Sequence, residues 1–193
     1  LGTNSSLTGA GTINLLGNQT VNFASAYTQS STSMLLDPTG TITFGGTGPL
    51  TIASGGSLKL TADTANNDID NQGILDIEIG TSTINSTSFT NSGVLTIRGT
   101  GGASFAQLNV ANGFTNAGTI TLDNAHSAGR SQTLTVSSGT LTNQGTISTT
   151  QTGPGAANHT INADITNTGI IDIDAPATIN ATTFDTSAGS IDV

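Results

Sequence analysis

Charged side chains are rare in this sequence of 193 residues, and most of those that could do chemistry recur at fixed offsets after a glycine. The third and fifth residues after successive glycines are predicted to face outward on one strand. If successive strands stack in register, Arg98 lies between Glu78 and Asp123. Such a carboxylate–arginine cluster could grip a sugar, as a polysaccharide-cleaving enzyme requires. The outward pairs are Asp76 and Glu78, Thr96 and Arg98, Thr121 and Asp123, Ser148 and Thr150, and Asp172 and Asp174.

The same charges also fit a structural ladder along one face of the protein. In that interpretation opposite charges alternate from strand to strand, and Lys59 lies below Asp76. An exposed pair of this kind contributes only a few tenths of a kcal/mol. We favour the ladder, because sugar cleavage needs acids, bases and aromatic platforms in one groove, and the chain has one tyrosine, six phenylalanines and no tryptophan.

Asp172 and Asp174 form the best pair of carboxylates by sequence. Alternate residues on one strand face lie about 7 Å apart, which is compatible with an inverting glycosidase. The neighbouring sequence, however, offers no long loop to build a cleft. Calcium is a second possible occupant of this pair, but the glycine-rich nonapeptide of calcium-loaded β-rolls does not occur.

The two histidines do not have the spacing of metal ligands. His126 and His159 lie in different loops of the predicted repeat, and the chain has no cysteine. We therefore expect both histidines to be solvated loop residues. For the whole chain we predict no catalytic residue, no cofactor, no cofactor-binding residue and no metal ligand.

The elements that carry these side chains are short strands with one buried face. Nine glycines are followed at the second and fourth positions by residues that are almost all apolar, which is the period of a half-buried strand. The pairs are Ile13/Leu15, Ile42/Phe44, Leu58/Leu60, Leu75/Ile77, Leu95/Ile97, Ile120/Leu122, Ile147/Thr149, Ile171/Ile173 and Ile191/Val193.

From residue 69 onward the repeat has the fuller form apolar, Thr/Asp, Asn, any residue, Gly. Successive glycines are 20, 25, 27, 24 and 20 residues apart, and a second apolar alternation precedes each block. A period of this length holds up to three strands, which is typical of one coil of a parallel β-helix. We predict an all-β parallel β-helix of roughly eight to nine coils. Outside the repeat, segments such as 149–158 are expected to be surface loops.

The repeated asparagine is predicted to turn the chain and to stack on its equivalents. Asn and Gly tolerate left-handed backbone angles, so an Asn-x-Gly corner can bend sharply. A buried amide also needs hydrogen-bond partners, which the same residue in the coils above and below can supply. The expected ladder consists of Asn71, Asn91, Asn116, Asn143 and Asn167.

The domain prediction is one β-solenoid segment over residues 1–193, with regular coils in 69–193 and irregular coils in 1–68. The first third has periods of uneven length, so its register is uncertain. The sequence begins at Leu1 within repeat-like sequence and stops in a strand pattern at Val193. We therefore expect a segment excised from a longer repetitive protein, with neighbouring coils of the parent as its direct partners.

The run Phe-Thr-Asn-Ser-Gly-Val-Leu-Thr-Ile at 89–97, with relatives at 114–122, 141–149 and 165–173, resembles the repeat of filamentous-haemagglutinin-type exoproteins and other large bacterial β-helix adhesins. The resemblance covers residues 69–193 well and 1–68 loosely. It implies a secreted, right-handed β-helix on a bacterial cell surface. The Asn-Pro-Asn-Gly motif of the secretion domain is absent, and 36–40 is only a weak echo, which favours a shaft segment.

Composition narrows the classes of partner. A net charge of −9 with three cationic side chains argues against binding to nucleic acid or to an anionic membrane, and no apolar run is long enough to insert into one. We predict a non-enzymatic shaft or adhesive segment whose glycan or protein receptor is unknown. The alternatives are a polysaccharide-degrading lyase or glycoside hydrolase and, more distantly, an ice-binding protein.

The ice-binding alternative depends on Thr-x-Thr pairs, which could order water on a flat face if they were aligned. They occur at 41/43, 119/121, 133/135 and 140/142, but acidic residues interrupt the expected rank. Asn-x-Thr sequons such as those at Asn18, Asn85 and Asn158 are expected by chance in such a sequence. They matter only if the host attaches N-linked glycans.

Overall fold

The protein is described by a computed structural model that covers residues 11–15, 17–29, 32–36, 41–100 and 105–193. These residues form strands and turns, with no helix among them. The strands are β1 Gly11–Leu15, β2 Gln19–Phe23, β3 Tyr27–Gln29, β4 Thr32–Leu36, β5 Ile42–Gly46, β6 Leu50–Ile52, β7 Ser57–Leu60, β8 Thr64–Ala65, β9 Ile69–Asn71, β10 Ile74–Glu78, β11 Gly80–Ile84 and β12 Phe89–Asn91. They continue with β13 Val94–Gly99, β14 Ala106–Val110, β15 Phe114–Asn116, β16 Thr119–Asn124, β17 Thr133–Asn143, β18 Thr146–Thr150, β19 His159–Asn167, β20 Ile170–Ile173, β21 Ala177–Asn180, β22 Phe184–Asp185 and β23 Ser190–Asp192.

Every strand pair described is parallel, and the strands build a β-solenoid with three faces. The first face is a sheet of nine strands in the order β1-β4-β7-β10-β13-β16-β18-β20-β23. The other two faces belong to a sheet of 14 strands, joined because β17 and β19 run through a corner and pair on both sides of it. We call the face from β2 to β21 the second face and the face from β3 to β22 the third. The predicted parallel β-helix and its approximate number of coils are confirmed.

The core is a stack of aliphatic side chains inside the coils. Leu58, Leu75, Leu95, Ile120 and Ile147 follow one another in register on the first face, and each is fully buried. Their outward neighbours are polar or half-exposed, so alternation along each strand separates core from solvent. The repeat after each glycine therefore predicts the inward positions correctly from β7 to β20, whereas Ile191 and Val193 at the last coil are exposed.

One of the nine predicted pairs belongs to a different face. Ile42 and Phe44 lie in β5, which stacks on β2 in the second face and pairs Val21 with Phe44. The corresponding place in the first face is taken by β4, where Met34 pairs with Leu58. The error arises because the glycine-led alternation reports one buried strand face and does not identify which of the three faces the strand occupies.

The corner glycines are needed for close approach and not for a left-handed backbone. The positive-φ residues of the described chain do not include Gly93, Gly118 or Gly145, so the predicted left-handed Asn-x-Gly corner is wrong. A Cβ added at Gly118 would lie 2.1 Å from the carbonyl oxygen of Gly93, and one at Gly145 would lie 2.0 Å from that of Gly118. Only glycine lets the corners of successive coils stack this closely.

Candidate functional site

The first candidate site is the charged cluster on the outer surface of the first face. β10 pairs with β13 and β13 with β16, so that Arg98 lies opposite Glu78 on one side and Asp123 on the other. Lys59 lies opposite Asp76. The predicted register of the cluster is therefore confirmed.

The ion pairs within the cluster separate it into two halves. Lys59 Nζ lies 2.9 Å from Oε1 of Glu78, diagonally across the strands and away from its register partner Asp76. Arg98 Nε donates to Oδ2 of Asp123 across 3.0 Å. Burial raises the pKa of Asp76, and the nearby negative charge of Glu78 adds to this effect. The cations are thus engaged by different acids and do not converge on one point.

Asp123 is buried, although its position after the glycine predicts an outward, solvated side chain. Its side chain is 1% exposed, whereas that of Arg98 is 43% exposed. Its two oxygens accept hydrogen bonds from Thr150 Oγ1 at 3.0 Å, Thr152 N at 3.0 Å and Thr152 Oγ1 at 2.8 Å. The segment 149–158, expected to be a surface loop, packs its first residues over this carboxylate. The exposed ladder is therefore wrong at this end, and Asp123 instead anchors the segment.

The proposed pair Asp172 and Asp174 does not lie on one strand. β20 ends at Ile173, and the backbone amides of Asp174 and Ala175 both donate to the carbonyl of Thr149. Asp172 is half-buried on the outer face, and Asp174 is exposed beyond the strand end. Because the strand does not continue through Asp174, the spacing argument for an inverting glycosidase pair no longer applies.

His159 is buried in β19, and the expectation that it is a solvated loop residue is wrong. Its Nδ1 accepts a hydrogen bond from Gln132 N at 3.2 Å, and its Nε2 lies 3.0 Å from the carbonyl oxygen of Thr150. An acceptor at Nδ1 and a donor at Nε2 define a neutral ring with both nitrogens used. Burial lowers the pKa of His159, opposed by its contact with Thr150 and by the charge of Asp123.

His126 lies in the turn after β16 and is half-buried, with its Nδ1 accepting a hydrogen bond from Ala128 N at 3.0 Å. The structure does not bring the two histidines into one site. Within the described ranges, no three His, Cys, Asp or Glu side chains form a group that could hold a metal ion.

The asparagine ladder is present with all five predicted members. Asn71 donates Nδ2 to Oδ1 of Asn91 at 2.7 Å, and the same bond recurs from Asn91 to Asn116 at 2.6 Å and from Asn116 to Asn143 and Asn143 to Asn167 at 2.7 Å. Each amide also donates to a backbone carbonyl in the next coil, as Asn116 does to Thr146 at 3.1 Å. Both amide hydrogens are therefore used, and the ladder is structural.

Asp63 is a buried acid that the sequence interpretation missed. It is fully buried, and it accepts hydrogen bonds from Ile42 N at 2.7 Å and Thr61 N at 2.6 Å. Burial raises the pKa of this carboxyl, and these backbone donors oppose the rise. The bond to Ile42 crosses from one coil to another, so Asp63 ties the coils together. Its flanking apolar positions, Leu60 and Ala65, are the only sequence signal of its burial.

A shallow groove crosses the corner between the second and third faces. Its volume is about 370 Å³, and it is open to solvent. Asp164 at the short corner of β19 lies on its surface, with Oδ1 accepting from the amides of Thr182 at 2.7 Å and Thr183 at 2.8 Å. Asn162 and Asn180 also border the groove. One carboxylate already bonded to backbone does not make an acid–base pair.

The Thr-x-Thr pairs do not form a single rank. Thr119 and Thr121 face outward on the first face, whereas Thr133 and Thr135 lie on the second.

Across the described residues no helix is long and apolar enough to span a membrane.

These features define the class of protein as a β-solenoid scaffold whose polar clusters mainly hold coils together. A family model described as the N-terminal domain of hyphally regulated cell wall proteins matches residues 3–154. The chain belongs to this family. No curated protein and no solved structure matches the chain.

This match overturns the resemblance to bacterial filamentous-haemagglutinin-type exoproteins, because the family is one of fungal cell wall proteins. The error has a physical cause. The apolar-Thr-Asn-x-Gly repeat encodes a buried strand, a stacked amide and a close corner, which are requirements of coil geometry. Unrelated β-solenoids can meet those requirements in the same way, so the repeat indicates the fold and not the family.

Proposed function

We propose that this domain is a rigid, non-enzymatic structural and adhesive element that a cell wall protein presents at the cell surface. The family match supports a place at the cell surface. The observation that carries the rest is the unbroken stack of strands. Nine strands at the usual spacing of about 4.8 Å make a rod about 40 Å long, whose coils are fixed to one another by the core and the asparagine ladder.

The polar side chains support a structural role over a catalytic one. The best acid pair lies across a strand end, and Asp123, Asp63 and His159 are each committed to backbone or side-chain partners. Most glycoside hydrolases need two carboxyl groups that flank the bond to be cleaved. The groove at Asp164 supplies one carboxyl group of this kind. Contact with a surface glycan or a protein receptor therefore fits the domain better than cleavage of a glycan.

The test is adhesion by the domain alone. Beads coated with the 193-residue chain are applied to cells and to a glycan array, and release of reducing sugar is measured in parallel. We expect bead attachment without sugar release. Thr121→Asp is the folded control and should attach like the wild type, whereas Ile120→Asp should abolish attachment because it disrupts the core. Release of sugar that Asp164→Asn abolishes would instead establish the enzyme alternative, and beads that attach to neither surface would refute an adhesive role.

A further inference from the structure

Every Asn-x-Thr sequon whose asparagine the structure describes falls on one face of the solenoid. Besides Asn18, Asn85 and Asn158, the sequence contains a fourth described sequon at Asn180-Ala181-Thr182. A fifth, Asn4-Ser5-Ser6, lies outside the described residues. All four described asparagines are exposed. Asparagines that carry N-linked glycans in folded secreted proteins also lie at the surface.

The strand register shows that the four side chains share the outer surface of the second face. This face carries a column of outward residues in successive coils, and Asn180 is its last member. Asn18 precedes the first member, Thr20, by two residues, and Asn85 follows Thr83 by two. Asn158 lies two residues before Thr160, which is outward in β19. The column is Thr20, Thr43, Thr64, Thr83, Asn109, Thr135, Asn162 and Asn180.

The other two faces carry no outward asparagine over most of their length. From β7 to β23 the outward positions of the first face hold Ser, Thr, Ile, Val and charged residues. On the third face the outward column is formed by Thr and Asp, and its asparagines point inward as the ladder. A sequon-dependent modification would therefore mark a single face.

A glycan attached to asparagine replaces one of the two hydrogens on Nδ2. The hydrogen bonds described for each sequon asparagine use at most one of these hydrogens. Asn18 is described with only its Oδ1 engaged, by Thr41 N at 2.8 Å. Asn85, Asn158 and Asn180 each donate one bond from Nδ2, to Asn66, Thr178 and Asn162 respectively. Ladder asparagines such as Asn116 use both amide hydrogens in the core. The open groove beside Asn180 and Thr182 also leaves room for a first sugar.

From this geometry we infer that Asn18, Asn85, Asn158 and Asn180 carry N-linked glycans, which coat the second face and leave the first face bare. The inference rests on the proposed function, since a surface protein passes through the secretory pathway. The donor is a polyprenyl-diphosphate-linked oligosaccharide. The anomeric carbon–oxygen bond to the diphosphate breaks, the bond from Nδ2 to the anomeric carbon forms, Nδ2 loses one proton, and polyprenyl diphosphate leaves.

The experiment maps glycans on the full-length protein released from the walls of the cells that make it. Because the chain has 3 Lys and Arg but 12 Asp and Glu, a protease specific for acidic residues gives the better peptides. Peptide-N-glycosidase then converts each glycosylated Asn to Asp, which mass spectrometry detects. We expect conversion at the four sequons and an unchanged amide at Asn66, which is exposed but lacks a sequon.

Matched variants test two of the four sites, Asn85 and Asn180, without changing the asparagine. Thr87→Ala and Thr182→Ala should each remove one glycan from the intact mass, whereas Thr87→Ser and Thr182→Ser should keep it. Unmodified amides at all four sequons, or an N-linked glycan at an asparagine of another face, would overturn the inference. The adhesion test uses the isolated chain, whereas the glycans are mapped on the full-length protein. If the isolated chain does not adhere but the four sequons of the full-length protein carry glycans, only the proposed function is refuted.

Discussion

Asn116 lies directly below Asn143 and donates its side-chain amide to Oδ1 of Asn143 across 2.7 Å. The other amide hydrogen of Asn116 reaches the carbonyl of Thr146. A residue in the middle of the ladder therefore accepts from the coil below and donates twice to the coil above. This relation makes the corner of each coil dependent on both of its neighbours.

The ladder predicts that an interior asparagine contributes more to the free energy of unfolding than an exposed pair of amides does. Asn116→Ala leaves Oδ1 of Asn143 and one N–H of Asn91 without their side-chain partners in a buried site. We expect the free energy of unfolding to fall by about 2–4 kcal/mol, since each unsatisfied buried group costs about 1–3 kcal/mol. Urea denaturation measures this fall. Asn66→Ala, which loses one exposed bond of 3.4 Å to Asn85, is the control, and an equal loss in both variants would contradict the prediction.

The core register predicts opposite outcomes for two adjacent residues. Ile120 is fully buried between Leu95 and Ile147, so Ile120→Asp buries an unpaired charge and should destabilise by about 3 kcal/mol or more. Thr121 faces outward, and Thr121→Asp should change the stability by less than about 1 kcal/mol. Thermal unfolding followed by circular dichroism compares them. Similar shifts in Tm would show that the register is wrong.

The charged cluster predicts an asymmetric response to removing either partner of one ion pair. Arg98→Ala removes a half-exposed cation, but the buried Asp123 keeps its three hydrogen bonds from Thr150 and Thr152, so the cost should be about 1 kcal/mol. Asp123→Ala also removes the acceptor for Thr150 and Thr152, so it should cost about 3 kcal/mol. The second variant should in addition increase proteolytic cleavage within 149–158, as measured by limited digestion. Equal costs would mean that the carboxylate does not anchor this segment.

Burial of His159 predicts a loss of stability in mild acid. Because the pKa of His159 is lowered in the folded state, the unfolded chain binds more protons below the ordinary histidine pKa of about 6.5. The stability conferred by the neutral ring is present above this pH and is lost as the pH falls toward the folded-state pKa. Tm measured between about pH 7.5 and pH 5 should decline, and His159→Gln should flatten the decline. A decline as steep in His159→Gln as in the wild type would show that this histidine is not its source.

The apolar alternation and the corner asparagine of a single period were sufficient to predict the strands of a coil. They were not sufficient to predict which segments pack over its outer surface. The positions of Leu75, Ile97 and Asn91 follow from alternation and from the need of a buried amide for partners, both of which are properties of a single period. The burial of Asp123 depends on Thr150 and Thr152, which come from a segment 27–29 residues later. The repeat period does pair Asp123 with Thr150, but Thr152 lies beyond the end of β18, where the repeat places no residue. The cover over Asp123 therefore does not follow from the alternation that assigned its side chain outward.

The errors at the other candidate sites have the same origin. The position of Asp174 depends on where β20 ends. The strand ends where the backbone amides of Asp174 and Ala175 both donate to the carbonyl of Thr149 in the coil below. His159 is buried because Gln132 and Thr150 converge on its two nitrogens. The period relates Thr149 to β20 and Gln132 to His159, but alternation within one strand does not show where a strand ends, nor does it place the contact of Thr150 with His159 inside one coil.

The ladder has a direction, and this makes its coils interchangeable. Every rung from Asn71 to Asn143 presents a donor upward and an acceptor downward, so that one rung fits onto any other. At the lower end the position beneath Asn71 is held by Ile52, and Oδ1 of Asn71 has no partner among the described residues. A gene duplication that copied one whole period between two rungs would therefore extend the rod without creating an unsatisfied amide. The length of such a domain can evolve by whole coils while its lateral surfaces keep their chemistry.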